Sequence, residues 1–505
     1  MFYLRSNELV EIMRKVNEKT VLTKLLSITG SRKIGKTAFA KQFIHLMSGA
    51  YITVTKAPSK VQLDDVVVYL NSFSTLEGMV PEFDTWTDLL LFFFELGKEK
   101  QTNVVIDEFH NLLKIEPDFL DVLKNLYELN KHISRLNVIL VSHDYDFLDS
   151  LFKKPDSPLF QMQYYSLNLS PFSFHEIYSI YKYHRTKLST EEIIRIYTVF
   201  GGFPKYVHLF DMEDLYNSTL EEVLERLVFR HYAPLGYELK DLIVNNFSRD
   251  SETYIRILTA IGNGRSTLSQ ISAEVGIPVT TISKYIYELE RKRGVIKKKL
   301  PLNQKNKPNS KFGRYFLSNY FENFWFKFVQ PNMVLYELEH YVELFAEILP
   351  FIKEYTDSRR LLIVREFIKV IRLYEPFMEK YSQNQFVIGS LWDRSEEIEI
   401  VAVDEVNRKL IYGFVFTSVP CNYEMINFAA RRVKYFRNIY KNFQKDTIVF
   451  YSGEITKDAS DLANVMDISI VDSNHFIDQL ANNKIIMEKV LEIPEFFDIE
   501  AGNLF

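Results

Sequence analysis

A glycine-rich loop between an apolar segment and a helix-forming segment constrains the fold of this chain most. The segment LLSITGSRKIGKTAFA, residues 25–40, sets Gly30, Gly35, Lys36 and Thr37 in the pattern G-x-x-x-x-G-K-T. The glycines permit a tight path that turns backbone amides towards phosphate groups, and the N-terminus of the next helix adds partial positive charge. LLSIT has the composition of a buried strand, and KTAFAKQFIHLM keeps apolar residues on one helical face. The pattern therefore predicts a strand–loop–helix unit that binds ATP.

The residues of this loop have predicted roles. Lys36 reaches the terminal phosphates, and the Thr37 hydroxyl is a ligand of Mg²⁺. We expect the nucleotide to contact the whole loop, which comprises Gly30, Ser31, Arg32, Lys33, Ile34, Gly35, Lys36, Thr37 and Ala38. A simple glycine turn between a strand and a helix is the alternative.

A second apolar strand ends in two acidic residues. TNVVIDEFHNLL, residues 102–113, finishes its apolar run at Asp107 and Glu108. An aspartate at this position holds Mg²⁺ directly or through water, and the adjacent glutamate polarises the water that attacks the terminal phosphate. Acidic pairs after strands also serve as loop caps, but one that follows a phosphate-binding loop favours the catalytic interpretation.

A third strand, within RLNVILVSHDYDFL at residues 135–148, ends at Ser142, next to His143 and Asp144. We expect Ser142 to sense the terminal phosphate, and a turn residue at the strand end is the alternative. YITVT at 51–55 and YYSLNLSPFSFHEI at 164–177 supply two more strands. Five short apolar strands with intervening helices predict an α/β fold, with a parallel sheet that is covered by helices on both faces.

Taken together, these segments resemble the archaeal-type P-loop ATPase family, which belongs to the AAA+/STAND lineage. Beyond the loop, the resemblance rests on FYLRSNEL at the start, DEFH at 107–110, GGFPKY at 201–206 and a later winged helix. It implies that Arg5 and Glu8 anchor the N-terminal segment near the nucleotide. It also implies that Gly202-Phe203-Pro204 brings a helical lid against the adenine, with Pro204 as a nucleotide contact. For GGFP alone, an ordinary turn between helices is the alternative.

One stretch departs from this family. Its members often carry a Gly-Arg pair before the last strand of the sheet, whereas this chain has Gln161 and Met162 in SPLFQMQYY. An arginine close to the transferred phosphate accelerates hydrolysis by several orders of magnitude. Its absence predicts slow turnover, unless another copy of the chain supplies the arginine, and favours a switch over a motor.

The segment 253–300 predicts a winged helix with a basic strand. Gly276 marks the turn of a helix-turn-helix, and Pro278 opens its second helix. Three residues of that helix are expected in the core: Ile282, Ile286 and Leu289. Four others should point outwards, as residues that contact DNA do: Thr281, Lys284, Tyr287 and Arg291.

Charge supports contact with nucleic acid at this segment. From Lys284 to Arg314 there are eleven Lys and Arg residues and two glutamates, although the whole chain has a net charge of −5. A local basic patch is typical of a nucleic-acid surface, and we expect Lys297, Lys298 and Lys299 to contact the phosphates of double-stranded DNA. The alternative is that the winged helix packs as a structural module and that the partner is a protein.

The C-terminal part resembles the restriction-endonuclease-like domain that is often appended to this ATPase family. The resemblance implies a helix glutamate at Glu366 and an E-x-D position at Glu397-Ile398-Glu399. The E-x-K position falls on Phe414-Val415-Phe416, which lacks both the carboxylate and the lysine. Lys409 has the opposite strand parity to Phe414 and Phe416, so its side chain should point to the other face of the strand. We therefore expect an inactive nuclease relic that serves packing or a protein partner, and an active DNA nuclease is the alternative.

The predicted organisation is an ATPase core at 1–175, a helical lid at 176–250, a winged helix with linker at 251–332 and an endonuclease-like α/β domain at 333–505. The single cysteine, Cys421, excludes a disulfide within the chain and suits the reducing cytoplasm. The densest apolar run, LLLFFF, is far shorter than the roughly 20 residues that cross a bilayer. We expect a cytoplasmic, membrane-free ATPase with ATP and Mg²⁺ as cofactors, while oligomerisation stays open.

Overall fold

The computed structural model describes residues 5–73, 80–142, 145–236, 251–305, 307, 310–417 and 420–486. Within these residues the chain has an α/β fold with one parallel sheet, one mixed sheet and a short β-hairpin. None of the helices in these ranges is long and apolar enough to cross a membrane.

The N-terminal sheet consists of five parallel strands in the order β2-β3-β4-β1-β5. The strands are β1 Lys24–Thr29, β2 Ala50–Thr53, β3 Thr102–Asp107, β4 Leu136–Val141 and β5 Gln163–Asn168. Every residue of β1, β3 and β4 is buried, because helices cover both faces of the sheet. The helices are α1 Ser6–Asn17, α2 Lys36–Met47, α3 Ser59–Phe73, α4 Trp86–Glu99, α5 Leu112–Ile115, α6 Phe119–Asn130 and α7 Tyr145–Lys153. The predicted parallel α/β sheet is confirmed.

Strand order decides where the loops after the strands meet. β1 lies between β4 and β5, and β3 pairs with β4 in the same direction. The carboxyl ends of parallel strands share one edge of the sheet, which is where open α/β sheets bind their ligands. The glycine loop, the acidic pair and Ser142 therefore lie at the same edge.

Four helices follow the sheet: α8 Phe174–Tyr183, α9 Thr190–Phe200, α10 Pro204–Glu213 and α11 Leu220–Leu227. The backbone N–H of Phe172 donates to the carbonyl of Gly202 at 2.7 Å. A Cβ on Gly202 would lie 1.8 Å from the carbonyl oxygen of Phe172, so only glycine fits there. This close backbone contact joins the end of the sheet domain to the turn that precedes α10.

The segment after residue 250 has three helices and a hairpin, in the order expected of a winged helix. The elements are α12 Ser251–Gly262, α13 Leu268–Val275, α14 Val279–Tyr287, β6 Ile296–Lys299 and β7 Arg314–Leu317. Gly276 ends α13 with a left-handed φ of 75°, which glycine adopts without strain. Ile282, Ile286 and Leu289 are buried. Assignment of this segment to the winged-helix class remains a prediction.

A long helix leads into the C-terminal mixed sheet, whose order is β12-β11-β10-β9-β8. The strands are β8 Val387–Trp392, β9 Glu397–Asp404, β10 Lys409–Phe416, β11 Gln444–Tyr451 and β12 Ile468–Asp472. The helices are α15 Tyr320–Phe324, α16 Met333–Glu337, α17 Tyr341–Ile368, α18 Met378–Tyr381, α19 Tyr423–Phe436, α20 Lys457–Val465 and α21 Ser473–Ala481. The hairpin expected around DEVNRK is the antiparallel pair β9–β10. That the domain is endonuclease-like remains a prediction.

Glu366 of α17 has a different role from the one expected of a nuclease carboxylate. Its carboxylate accepts the backbone N–H groups of Phe174 at 3.0 Å and His175 at 3.2 Å. These are the first residues of α8, where N–H groups lack helical partners and a negative charge is favoured. Within the described ranges, no three His, Cys, Asp or Glu residues are grouped to hold a metal ion. Glu366 is therefore engaged at the N-terminus of α8, and the role that the resemblance implies for Glu366, Glu397 and Glu399 remains a prediction.

Lys409 pairs with Asp404 of β9, so it lies on the opposite face of the sheet from Glu397 and Glu399. Its ammonium group lies 3.7 Å from an Asp446 carboxylate oxygen, and it also lies over the Tyr381 ring. Lys409 therefore serves the packing of α18 against β11 and supplies no cation to Glu397 or Glu399.

The Glu366 contact predicts a pH-dependent stability. Burial raises the pKa of Glu366 from 4.5 to about 7, although the two N–H bonds oppose this rise. The folded state then holds a proton that the unfolded state releases, so this stabilisation is complete below pH 4.5 and is lost as the pH rises through about 7. We compare the thermal midpoint of the wild type with that of Glu366→Gln. The wild-type value minus the variant value should decrease between pH 5 and about pH 7 and stay constant at higher pH.

Calorimetry or fluorescence melts across this pH range measure the difference. Glu347→Gln is the matched control, because Glu347 is exposed on the same helix and should shift the midpoint equally at every pH. A pH-independent difference between wild type and Glu366→Gln would contradict the burial of this carboxylate.

Candidate nucleotide-binding site

The glycine loop leads from β1 into α2 through unusual backbone conformations. Gly30 has a φ of 151°, and Gly35, which precedes the first residue of α2, has a φ of 86°. A Cβ on Gly30 would also lie 2.8 Å from the carbonyl oxygen of Leu169. These two glycines therefore allow the backbone path, which leaves the first N–H groups of α2 directed at the loop. Free N–H groups at a helix N-terminus form a site for phosphate.

Lys36 is buried at the centre of the loop, with 7% of its side chain exposed. Its ammonium group donates to the carbonyls of Gly30 at 2.8 Å and Ser31 at 2.9 Å. Burial lowers the pKa of Lys36 to about 8, while the carboxylates of Glu108 and Asp107 act in the opposite direction. A bound phosphate would bring further negative charge to this partly desolvated cation, so the loop favours an anionic ligand.

Asp107 and Thr37 meet as the sequence predicts. The Thr37 hydroxyl donates to Asp107 Oδ2 at 2.8 Å, across the edge of the sheet. The backbone N–H of Glu108 donates to the other carboxylate oxygen at 2.8 Å, which fixes its rotation. A hydroxyl and a carboxylate are hard oxygen ligands, and Mg²⁺ is commonly bound by one or two carboxylates together with substrate phosphates. Thr37 and Asp107 therefore fit the predicted Mg²⁺ ligands.

Tyr51 of β2 is a member of the site that sequence reasoning missed. Its hydroxyl donates to Asp107 Oδ2 at 2.6 Å. Burial and the nearby Asp107 charge raise the pKa of Tyr51 above its ordinary value, so it stays a neutral donor. β2 pairs with β3 so that Thr53 faces Asp107, and strand alternation puts Tyr51 on the same face as Thr53. That alternation within YITVT was the available signal.

Glu108 and Ser142 are linked through a histidine that sequence reasoning also missed. Glu108 has a left-handed φ of 54°, and one of its carboxylate oxygens lies 3.3 Å from His110 Nδ1. The Ser142 hydroxyl lies 3.3 Å from the same nitrogen and is fully buried. The structure therefore brings the two predicted catalytic side chains to one imidazole. His143 and Asp144 lie outside the described residues.

The turn at Pro204 approaches the glycine loop, as the family resemblance implies. A Cβ on Gly35 would lie 3.8 Å from the Pro204 ring, so the start of α10 stands directly over the loop. Arg5 pairs with Glu8 at 2.9 Å, donates to the carbonyl of Ser170 at 2.7 Å and lies over the Phe172 ring. These contacts hold α1 against the segment between β5 and α8. Contact of Pro204 with adenine remains a prediction.

The turn at Gln161 and Met162 is the place where the family resemblance implies an arginine. Gln161 adopts a left-handed φ of 59°, and its N–H donates to the carbonyl of Phe152 at 2.9 Å. Met162 packs against the core at the far side of the sheet from α2. Neither side chain supplies a positive charge.

The predicted DNA-contacting residues fall into two groups. Thr281, Lys284 and Tyr287 of α14 are exposed, opposite its buried face, and so is Arg291, which lies four residues beyond the end of α14. On β6, Lys297 and Lys299 are exposed on one face. Lys298 points to the other, where its side chain lies against Gly313. Neighbouring strand residues alternate, so Lys298 lies on the opposite face of the hairpin from Lys297 and Lys299. Contact of these three lysines with DNA remains a prediction.

Comparisons with known proteins agree with this geometry. Residues 22–178 match the family model described as an AAA domain, and residues 325–415 match the model described as archaeal and bacterial proteins of unknown function. Uncharacterized protein MJECL04 of Methanocaldococcus jannaschii is 24% identical over 418 residues, which cover 82% of this chain and 86% of that protein.

Among solved structures, the Walker-type ATPase PABY2304 of Pyrococcus abyssi aligns with a TM-score of 0.52 at 17% identity, over 64% of this chain and 96% of that one. The ORC2 protein of Aeropyrum pernix aligns with a TM-score of 0.41 at 16% identity, over 66% and 96% of the two chains. Residues 22–178 therefore match an AAA domain model, and the fold of this part is like that of P-loop ATPases.

Proposed function

We propose that this protein binds ATP with Mg²⁺, hydrolyses it slowly and acts as a nucleotide-dependent switch. One observation carries the proposal: Lys36, Thr37 and Asp107 converge at the carboxyl edge of a parallel sheet, beside Glu108. This set supplies a cation for the phosphates, two oxygen ligands for the metal and a base for water.

Each of these side chains would have its own role in the reaction. Lys36 exchanges its two carbonyl partners for oxygens of the terminal phosphate, while the N–H groups of α2 bind the others. Bound Mg²⁺ would neutralise charge on the phosphates. Glu108 orients the attacking water and accepts its proton. Ser142 lies on the next strand, where its hydroxyl reports on the terminal phosphate through His110.

Slow turnover follows from the turn at Gln161 and Met162. Without a cation there, the charge that develops on the transferred phosphate is stabilised by Lys36, the metal and the other groups of the glycine loop. We propose that either the ATP-bound state is long-lived or a second copy of the chain supplies an arginine. Both cases suit a switch whose state depends on the bound nucleotide.

The lid contacts would connect that switch to the rest of the chain. Pro204 stands over the glycine loop, Gly202 is bonded to Phe172, and Glu366 caps α8 two residues further on. We propose that nucleotide-dependent movement of α10 reaches the C-terminal domain by this route, and that the segment 251–332 is a winged helix that contacts nucleic acid through α14. A protein partner of the C-terminal domain is compatible with the same switch.

We further propose that the C-terminal domain does not cut DNA. Glu366 is engaged at the N-terminus of α8, and Phe414 and Phe416 stand where a nuclease carries its carboxylate and lysine. Glu397 is paired with Arg314. These arrangements support packing as the role of the domain.

The loop lysine gives the direct test. Lys36→Ala should weaken ATP binding by more than about tenfold, because it removes a charge-assisted bond to phosphate. Titration of a fluorescent ATP analogue measures the affinity, with Lys100→Ala as an exposed control on the same domain. Normal binding by Lys36→Ala would remove the basis of the proposed function.

The acidic pair should separate binding from hydrolysis. Glu108→Gln should retain ATP and Mg²⁺ but lower turnover by about 100-fold or more, because the water loses its base. Asp107→Asn should instead raise the Mg²⁺ concentration needed for ATP binding. Phosphate release and Mg²⁺ titrations measure both effects, and near wild-type hydrolysis by both variants would contradict these roles.

A further inference from the structure

The β6–β7 hairpin has one face that the helices before it do not cover. Its register pairs Lys297 with Phe316 and Lys299 with Arg314. These four side chains share one face of the hairpin, because residues opposite each other in a β-ladder point the same way. Ile296, Tyr315 and Leu317 occupy the other face and are buried against the preceding helices.

That uncovered face is turned towards the C-terminal sheet. Arg314 pairs with Glu397 of β9, and its guanidinium lies 4.8 Å from the centre of the Trp392 ring. The Trp392 indole N–H donates to the carbonyl of Phe312 at 2.8 Å. The hairpin is thus held against β8 and β9 by an ion pair, a cation–π contact and a hydrogen bond.

Helix α17 brings two further cations to the same place. Arg365 donates to the carbonyl of Glu399 and to the Ser390 hydroxyl, both at 3.0 Å. Arg359 donates to the Asn323 amide oxygen at 3.1 Å and to the carbonyl of Thr198 at 2.9 Å. These hydrogen-bond partners are neutral, although the carboxylates of Glu399 and Glu397 lie close enough to Arg365 to act on its pKa. We call the space between the hairpin, α17 and β9 the hairpin cleft.

The hairpin cleft has an excess of positive charge. Its cations are Lys297, Lys299, Arg359 and Arg365, and the carboxylate of Glu399 offsets part of their charge from beside Arg365. In the described part of the chain, Lys297 and Lys299 make no ion pair, and Arg314 and Arg432 are matched by Glu397 and Glu396.

The cations in the cleft repel one another. The protein around Lys299 removes part of its hydration, and Arg365, Lys297 and Arg359 lie close by, so the pKa of Lys299 is lowered to about 8. Partial loss of hydration beside the surrounding protein lowers the pKa of Lys297 as well, although its side chain keeps contact with solvent. An anion in the cleft would relieve this repulsion.

An aromatic ring stands among these cations. Phe316 is 37% exposed, although most phenylalanines of this chain that the structure describes are packed inside, and the Lys299 ammonium lies 4.7 Å from its ring centre. Alternating cations and exposed aromatic rings are the surface on which single-stranded nucleic acid binds, since bases stack on the rings while phosphates contact the cations.

We propose that the hairpin cleft binds a single strand of nucleic acid, with Lys297, Lys299 and Arg365 on its phosphates and Phe316 under a base. This site deepens the proposed nucleic-acid association and rests on it, but it places a single strand at the hairpin, whereas the proposed function places duplex DNA at α14.

Paired double variants of the full-length protein separate the two surfaces. Lys297→Gln with Lys299→Gln removes two cleft charges. Lys284→Gln with Arg291→Gln, called the α14 variant, removes one charge from α14 and one from the turn after it. Fluorescence anisotropy, at about 50 mM salt and above, measures binding of a labelled mixed-sequence single strand and of the matching duplex. Unchanged ATP binding and circular dichroism show that each variant is folded.

We expect the cleft variant to bind the single strand more than tenfold more weakly, with a salt dependence shallower by about 1.4 for two lost phosphate contacts. Phe316→Ala should weaken the same complex without changing its salt slope, because it removes stacking and no charge. The α14 variant should keep its single-strand affinity within about twofold.

Other results would overturn the proposal in distinguishable ways. If the wild type and the cleft variant bind the single strand equally, the hairpin cleft is not the single-strand site. If in that case only the α14 variant loses duplex binding, the proposed function is still supported. Equal losses in both double variants would mean an unspecific charge effect. If inorganic phosphate displaces the strand at the same concentration of phosphate groups as the strand itself carries, the cleft is a site for a free anion and not for nucleic acid. Failure of the wild type to bind either nucleic acid would reject both surfaces, while the ATP tests would stand.

Discussion

The parallel pairing of β1 with β4 and β5 is the constraint on which the nucleotide site depends. This pairing buries every residue of β1, and the chain therefore has to leave the sheet at Gly30, against Leu169, with no room for a side chain. The same register brings β3 and β4 to that edge, so Asp107 meets Thr37 although seventy residues separate them. The chemistry of the site is thus a consequence of sheet order.

Charge at this edge is nearly balanced before any nucleotide binds. The Lys36 ammonium is surrounded by carbonyl oxygens, with Asp107 and Glu108 close enough to oppose the fall in its pKa to about 8. Asp107 in turn accepts bonds from Thr37, Tyr51 and the N–H of Glu108. Phosphates and Mg²⁺ would arrive with opposite charges and replace these internal partners. The site therefore needs little rearrangement beyond the release of Lys36 and Thr37.

Sequence patterns predicted the site residues whose roles depend on neighbours in the chain. They missed the site residues whose roles depend on packing between strands. Gly35, Lys36, Thr37 and Asp107 follow from a loop and a strand end, and the structure brings them together. Tyr51 and His110 were missed because their roles arise only when β2 and β4 lie beside β3.

Two other features depend on long-range packing and on strand alternation. A glutamate on a helix resembles a nuclease ligand until α17 packs against the lid, where Glu366 meets N–H groups that lie 192 and 191 residues away. Three consecutive lysines suggest one basic surface, but strand alternation sends Lys298 to the opposite face. The nucleic-acid surface that we propose at the hairpin therefore depends on a domain contact that no local pattern reveals.

The short segment 169–175 connects these distant parts physically. Leu169 lies under Gly30, Arg5 holds Ser170, Phe172 is bonded to Gly202, and Glu366 receives the N–H groups of Phe174 and His175. A lid movement that follows nucleotide binding would shift the start of α8 relative to α17, because both are fixed to this segment. The pKa of Glu366 would then change with nucleotide, since its value of about 7 reflects burial opposed by those two N–H bonds. By linkage, any change that the nucleotide makes at Glu366 is matched by an equal effect of protonation on nucleotide affinity.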